Sequence, residues 1–151
     1  MQIFVIVLFM LVLPILSIVR DVIGGIGLVA AIGTWFVFWG VGWRLVAAGF
    51  HQITRPAFTA NDIFNIKDPN ASKLVLEIGF GNLALGIPAI TSIYFPQWVP
   101  ALALAGAIFF GLAGIQHIRN QASSRAEIAA LVSDLGISAV LVFYLVWFFL
   151  L

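Results

Sequence analysis

The chain has 151 residues, 63% of them hydrophobic and only 9% charged, with a formal net charge of +1 and no cysteine. Soluble domains carry about 25% charged residues, so this composition, with a mean hydropathy of +1.16, excludes a globular surface in water and makes lipid the principal solvent. The small net charge excludes nucleic acid as a partner, which needs clustered Lys and Arg, and the missing cysteines exclude disulfides, thiolate nucleophiles, iron–sulfur ligation and covalent haem attachment.

A helix crosses the hydrocarbon with roughly 20 apolar residues, and the sequence supplies about five such segments, over residues 2–19, 26–50, 74–94, 99–118 and 128–150. The predicted fold is all-α, a polytopic transmembrane helical bundle of one domain spanning 1–151. The first segment has no basic residue ahead of its apolar run and no small-residue cleavage site after it, so it reads as a retained helix rather than a signal peptide. Asp21 with Gly24-Gly25 breaks it from the second segment, and turn chemistry recurs at Asp68-Pro69-Asn70, at Pro96 with Pro100, and over 120–124. Between the second and third segments, Phe58, Ile63, Phe64 and Ile66 alternate with Asn61, Asp62 and Asn65, and capping-type residues stand at Thr59 and Asn61. That pattern predicts a short interfacial helix over 57–67. Asn70-Ala71-Ser72 matches a glycosylation acceptor, but on this connection it reads as the turn that caps the third helix.

The third segment, "EIGFGNLALGIPAI" from Glu77 to Ile90, carries a carboxylate, an amide, three glycines and a proline. At about 100° per residue, Glu77, Gly81, Ala84, Pro88 and Ser92 fall in one sector and Gly79, Asn82, Gly86 and Ala89 in a second, roughly opposite. Two small-residue faces predict neighbours on both sides, and hence a central helix; Pro88 frees the carbonyl of Ala84 and predicts a kink. On the second segment Gly33, Gly40, Arg44 and His51 share a face, with Trp35, Trp39 and Trp43 across from it. On the fourth, Ala103, Ala107, Gly111 and Gly114 form a stripe that His117 continues, and on the fifth Glu127, Ala130, Asp134 and Ser138 line up.

At 1.5 Å per residue Glu77 lies roughly 5 Å inside the boundary, and Arg44 and Asp134 about 10 Å. Arg44, Glu77, Asn82, His117 and Asp134 are therefore expected to converge on one layer, as a ligand- or ion-binding site. A charge near the bilayer centre costs at least about 2.5 kcal/mol, so such residues are normally paired and mark function. The bland alternatives are that Arg44 snorkels to the headgroups and that Asn82 is an interhelical hydrogen bond of about 0.6 kcal/mol.

In "RPAFTANDIFNIKDPNASKLVLEIGFGNLALG", "FFGLAGIQHI" and "EIAALVSDLGI" the chain resembles a family of small multi-pass bacterial integral membrane proteins of unknown function. The likeness runs from the second helix to the fifth. It implies that the Glu77–Asn82, His117 and Asp134 positions are the family's polar landmarks, and it implies no mechanism.

Three function classes follow. In the first, the site binds or transports a proton, an ion or a small ligand: Arg44 neutralises only one of Glu77 and Asp134, and the other must protonate, meet a charged His117 or hold a cation. In the second, the chain is a structural or accessory subunit, with its stripes and its Trp35, Trp39 and Trp43 face offered to a homo-oligomer or to other membrane subunits. In the third it is a membrane enzyme or haem carrier. Metal or haem ligation would rest on His51 and His117 alone, and two histidines at helix ends are usually nothing more. No cofactor is predicted, and without G-x-S-x-G or H-E-x-x-H the sequence favours a non-enzyme.

Orientation follows from Arg55, Lys67, Lys73, Arg119 and Arg125 on one side against Arg20 on the other. This predicts a bacterial inner-membrane protein with a cytoplasmic N-terminus and an external C-terminus. Trp98 and Trp147 suit the aromatic belts. Single cysteines placed at Asn65 and Ser123 should react with an impermeant maleimide only from the cytoplasmic side, and cysteines at Gly24 or Leu151 only from outside. Labelling of Asn65 from outside would reverse the orientation.

Overall fold

The computed structural model describes residues 2–63, 66–68, 70–121 and 125–150. Among them there is no strand, and five helices are long and apolar enough to cross a membrane: Phe4–Ile23, Leu28–Thr54, Ala71–Thr91, Pro96–Arg119 and Glu127–Leu150. They are numbered here as the first to fifth spans. The all-α bundle expected from apolar length is thus the observed architecture, with boundaries that local chemistry moves by a few residues.

The first span runs through Arg20 and Asp21 and stops at Gly24-Gly25. Gly25 has φ of +92°, the left-handed conformation that a residue without a Cβ adopts at little cost. Its N–H donates to the Val22 carbonyl at 3.1 Å, and that of Ile26 to the Asp21 carbonyl at 2.9 Å. These two bonds form a Schellman cap, which satisfies carbonyls that hydrocarbon would leave without partners. Before the third span, Asp68 Oδ1 accepts from the Asn70 N–H at 2.7 Å, so the turn that starts that span is an Asx turn carried by Asp68. Pro88 lies inside the Ala71–Thr91 helix.

The expected interfacial segment is a helical turn over Pro56–Phe58 followed by a π-helical turn over Thr59–Ile63. Of its predicted length, Phe64 and Asn65 lie outside the described residues. Thr59 and Ala60 are buried, and Ala60 packs with Ala71 and Val75 at the start of the third span. Phe58 and Ile66 are exposed, so the segment presents apolar side chains outward while docking by its small ones.

The centre of the bundle is the second span, not the third. Half of the second span's most apolar window is buried, against 28% of the third's. All four other helices touch it. The first covers its tryptophans: Trp39 Nε1 donates to Ser17 Oγ at 3.1 Å, Trp35 Nε1 donates to Asp21 Oδ2 at 2.7 Å, and Phe9 stacks on Trp39 at 6.0 Å. The aromatic face expected to await a partner protein is therefore largely occupied within the chain, although Trp43 keeps an exposed edge. The fifth span packs antiparallel on the opposite face, with Gly33 against Tyr144, Gly40 against Ile137 and Arg44 against Asp134. Gly33, Gly40 and Arg44 thus share a face as expected. His51, two α-helical turns beyond Arg44, contacts Phe58 and Thr59 rather than the fifth span. The fourth span meets the second where Gly106 faces Val41. It pairs with the fifth through Gly111 and Gly114, and Ser138 Oγ donates to the Ala107 carbonyl at 2.9 Å.

The third span lies against the second on one face alone. Its buried sector is Gly79, Asn82, Gly86 and Ala89, one of the two small faces read from the sequence. The other, through Glu77, Gly81 and Ala84, is exposed. Periodicity marks a face on which close approach is possible; it does not count the helices that use it. The buried face works by backbone contact. A Cβ on Gly86 would stand 2.9 Å from the Gly42 carbonyl oxygen and 3.0 Å from the Val46 nitrogen, and one on Gly49 would stand 2.8 Å from the Gly79 carbonyl oxygen. Backbone atoms cannot swing away as a side chain would, so a methyl there separates the helices.

Gly86→Ala should therefore destabilise the protein by about 1–3 kcal/mol, the usual cost of overpacking. Gly81→Ala, with nothing within 4 Å of the new Cβ, should stabilise it by up to about 1 kcal/mol through helix propensity. Unfolding of both variants in mixed micelles, followed by circular dichroism, measures the difference. Equal effects would mean that the second and third spans do not meet through Gly42 and Gly86.

Candidate functional site

Arg44 closes the π-helical stretch Phe36–Trp43 and begins the α-helical stretch Arg44–Thr54. It stands about 15 Å of helix from Thr54, and Asp134 stands about 14 Å from Arg125 at the start of the fifth helix. They meet across the face that carries Gly33 and Gly40. Arg44 Nη2 donates to Asp134 Oδ1 at 2.5 Å and to Ser133 Oγ at 2.9 Å. The Ser133 hydroxyl passes its own hydrogen to the Ala130 carbonyl at 2.8 Å, which fixes its oxygen as an acceptor. The guanidinium carbon lies 4.7 Å from the centre of the Phe110 ring, a cation–π contact contributed by the fourth span. Both charged side chains are nearly enclosed, at 12% and 7% exposure.

His117, from the same fourth span, brings Nε2 to 3.6 Å from Asp134 Oδ2, the carboxylate oxygen that Arg44 leaves free, and its side chain is one-third exposed. Three helices thus contribute one group each to a cluster with a closed end at Arg44 and an open end at His117. Among the described residues Arg44 Nη1 is buried without a hydrogen-bond partner. A free guanidinium donor in hydrocarbon is a place for a small acceptor such as water or a carbonyl.

The remaining candidates go elsewhere. Asn82 is buried and donates from Nδ2 to Gln52 Oε1 at 2.8 Å, with Oδ1 left without a partner among the described residues. This amide pair bridges the third and second spans beside the Gly49–Gly79 contact, and it is separate from the Arg44 group. Glu77 is exposed, and among the described residues no hydrogen bond or ion pair reaches it. The expected convergence of five residues is corrected to three, because the third span turns Glu77 away from the second. The contacts of His51 and His117 are disjoint: His51 lies 5.7 Å from the Phe58 ring and 3.5 Å from Thr59 Oγ1, while His117 faces Asp134.

Comparison with protein-family models, with curated proteins and with solved structures finds no match to the chain. The reading of the site therefore stands on its geometry.

Ser133, Phe110 and Gln52 take part without having been singled out in the sequence. Ser133 and Gln52 are polar residues inside spans and carried a signal of their own. Phe110 carried none, since a phenylalanine under a guanidinium looks like any other apolar residue of its helix.

The electrostatics of the pair predict its mutational behaviour. Desolvating both ions is repaid only while they remain together, so Arg44→Leu alone should cost about 3–5 kcal/mol. The double change Arg44→Leu with Asp134→Leu should recover most of that loss, whereas Arg44→Leu with Glu77→Gln should be additive, because Glu77 does not touch Arg44. Unfolding free energies in mixed micelles of the wild type, the single variants Arg44→Leu, Asp134→Leu and Glu77→Gln, and the two doubles decide this. Additivity with Asp134 and coupling with Glu77 would break the assignment.

Proposed function

We propose that the chain is a proton-responsive integral membrane protein in which Arg44, Asp134 and His117 form an intramembrane binding site, and that protonation there is coupled to passage or binding of an ion or small solute. The observation that carries this reading is the position of His117, one-third exposed and 3.6 Å from the carboxylate oxygen that Arg44 does not use. Histidine is the side chain whose charge ordinarily changes between pH 5 and 8. With neutral His117 the cluster holds one positive and one negative group and sums to zero. With protonated His117 it sums to +1 inside hydrocarbon, where an unbalanced charge is costly, and the carboxylate then holds two cations, one on each oxygen. The proton's arrival thus changes the net charge of the cluster and gives the aspartate a second cation, the kind of local change that a coupled site requires.

The surroundings of this site follow the same reading. The Lys/Arg balance supports an orientation with the open end toward the cytoplasm, and an inner membrane as host bilayer is part of the same proposal. A likeness to small multi-pass bacterial membrane proteins is supported by the quoted sequence stretches, which run from the second span to the fifth.

One observation favours a second reading, that of an accessory subunit. Glu77 lies exposed on a flank with Gly81 and Ala84, and a charged, small-residue flank suits the side of another subunit better than it suits acyl chains.

Reconstituted vesicles with an internal pH-sensitive dye separate the two. The wild-type protein should carry a proton flux that depends on pH. Asp134→Asn and His117→Gln, each still helical by circular dichroism, should abolish that dependence. Unchanged pH dependence in a folded Asp134→Asn protein would overturn the proton site and leave the accessory reading.

A further inference from the structure

At the end of the bundle where the fifth span terminates, a groove of about 290 Å³ opens between the first turns of the second span, the start of the fourth and the last two turns of the fifth. Val29, Val99, Trp147 and Phe148 make its walls apolar, and Thr34 and Tyr144 bring the hydroxyls. Tyr144 is only 5% exposed. Its ring edge, including the carbon that bears the hydroxyl, occupies the space a Cβ would take at Gly33, so the ring is seated on the backbone of the second span. The ring also meets Phe148 at 5.9 Å. Yet among the described residues nothing accepts the hydrogen of the Tyr144 hydroxyl, and the Thr34 hydroxyl is likewise without a partner.

Neither hydroxyl is enclosed by protein, so both open onto the groove, and a hydroxyl held in an apolar setting without a hydrogen bond costs roughly 1–3 kcal/mol by mutational measures. Two such groups in one groove call for a ligand with an apolar body and acceptor oxygens. Thr34 and Tyr144 each lie six residues from their helix ends at Leu28 and Leu150, about 9 Å along the axis. That depth, next to the interfacial Trp147, is where the ester groups of a lipid meet its chains. The two hydroxyls come from different helices, Thr34 from the second span and Tyr144 from the fifth, and the ester carbonyl of a diacylglycerol backbone is an acceptor of the kind they lack.

We propose that this groove binds one diacyl glycerolipid, with an acyl chain along its apolar walls and an ester carbonyl accepting the Tyr144 hydroxyl hydrogen. The site lies at the opposite end of the second and fifth spans from Arg44 and Asp134, and it does not depend on the proton reading.

The test compares ester with ether lipids, which differ in the carbonyl. The full chain is reconstituted in vesicles holding equal amounts of a diester phosphatidylcholine and its diether analogue, then released in mild detergent for native mass spectrometry. The wild-type protein should retain one lipid per chain and prefer the ester form about fivefold, the ratio that one net hydrogen bond supplies. Tyr144→Phe keeps the ring on Gly33 and should retain lipid with that preference lost. Ala30→Trp, placed on the exposed rim of the groove, should lose the bound lipid while the helical signal is unchanged. Equal retention of ester and ether lipid by the wild type, a preference that survives Tyr144→Phe, or full retention in a folded Ala30→Trp protein would each overturn the proposal. So would release of a carbonyl-bearing isoprenoid, in place of phospholipid, from protein purified out of native membranes.

Discussion

An arginine and an aspartate roughly 14–15 Å of helix from the nearest helix ends remain charged in hydrocarbon only while each neutralises the other, and the Arg44–Asp134 contact therefore fixes how the second span lies against the fifth. Sliding either helix by one turn, about 5.4 Å, would strand two ions. Apolar packing has no such penalty for a slipped register, since one leucine replaces another at little cost. The glycines on the same face work together with the pair. Gly40 lets Ile137 approach and Gly33 receives the Tyr144 ring, so the two backbones are close enough for an arginine to reach the carboxylate. The fourth span is held to this assembly by Phe110 beneath the guanidinium and by the Ser138 bond to Ala107.

The π-helical stretch Phe36–Trp43 gives the second span its capacity to serve four neighbours. Each π turn takes in one more residue than an α turn, so the faces above and below the stretch are rotated relative to a uniform helix. Trp35 and Trp39 stay together under the first span, while Arg44, one residue beyond the stretch, faces the fifth. The same stretch presents Gly42 to the third span, where a Cβ would meet the Ile90 backbone nitrogen at 3.0 Å. Stretches of this kind recur at functional sites, and here the stretch ends at the charged residue of the site.

The spans were legible in the sequence because apolar length is nearly all that crossing a membrane requires. Ionisable side chains were legible for a related reason: hydrocarbon makes Arg44 and Asp134 conspicuous, and each sat on a small-residue face. Which face found a neighbour was not legible. The two sectors of the third span, through Glu77 and through Asn82, look alike in composition, and only the position of the second span separates them. His51 is separated from the Arg44 group by seven residues of α-helix, about 10 Å along the axis, and its partners Phe58 and Thr59 come from the connection that follows the span. The Phe110 contact and the groove at Tyr144 arise from residues far apart in sequence, and no local pattern encodes either.

The Arg44–Asp134 cluster and the groove proposed to hold a lipid share one interface, since Asp134 and Tyr144 lie on one helix and Arg44 and Gly33 on another. Asp134 and Tyr144 are ten residues apart, about 15 Å along the axis, with Ile137 and Leu141 fully buried between them. A packed interface of this kind moves as a unit, because close-packed side chains have no slack in which a local shift can be absorbed. If, as proposed, protonation of His117 shifts Asp134, the fifth span shifts against the second. The ring that sits on Gly33 must then move with it, and with the ring the wall of the groove. A lipid held at Tyr144 opposes that movement by whatever free energy its binding to the paired state exceeds its binding to the shifted one. Coupling between the two ends is thus a consequence of shared packing on two rigid helices, and its sign is set by which register the lipid prefers.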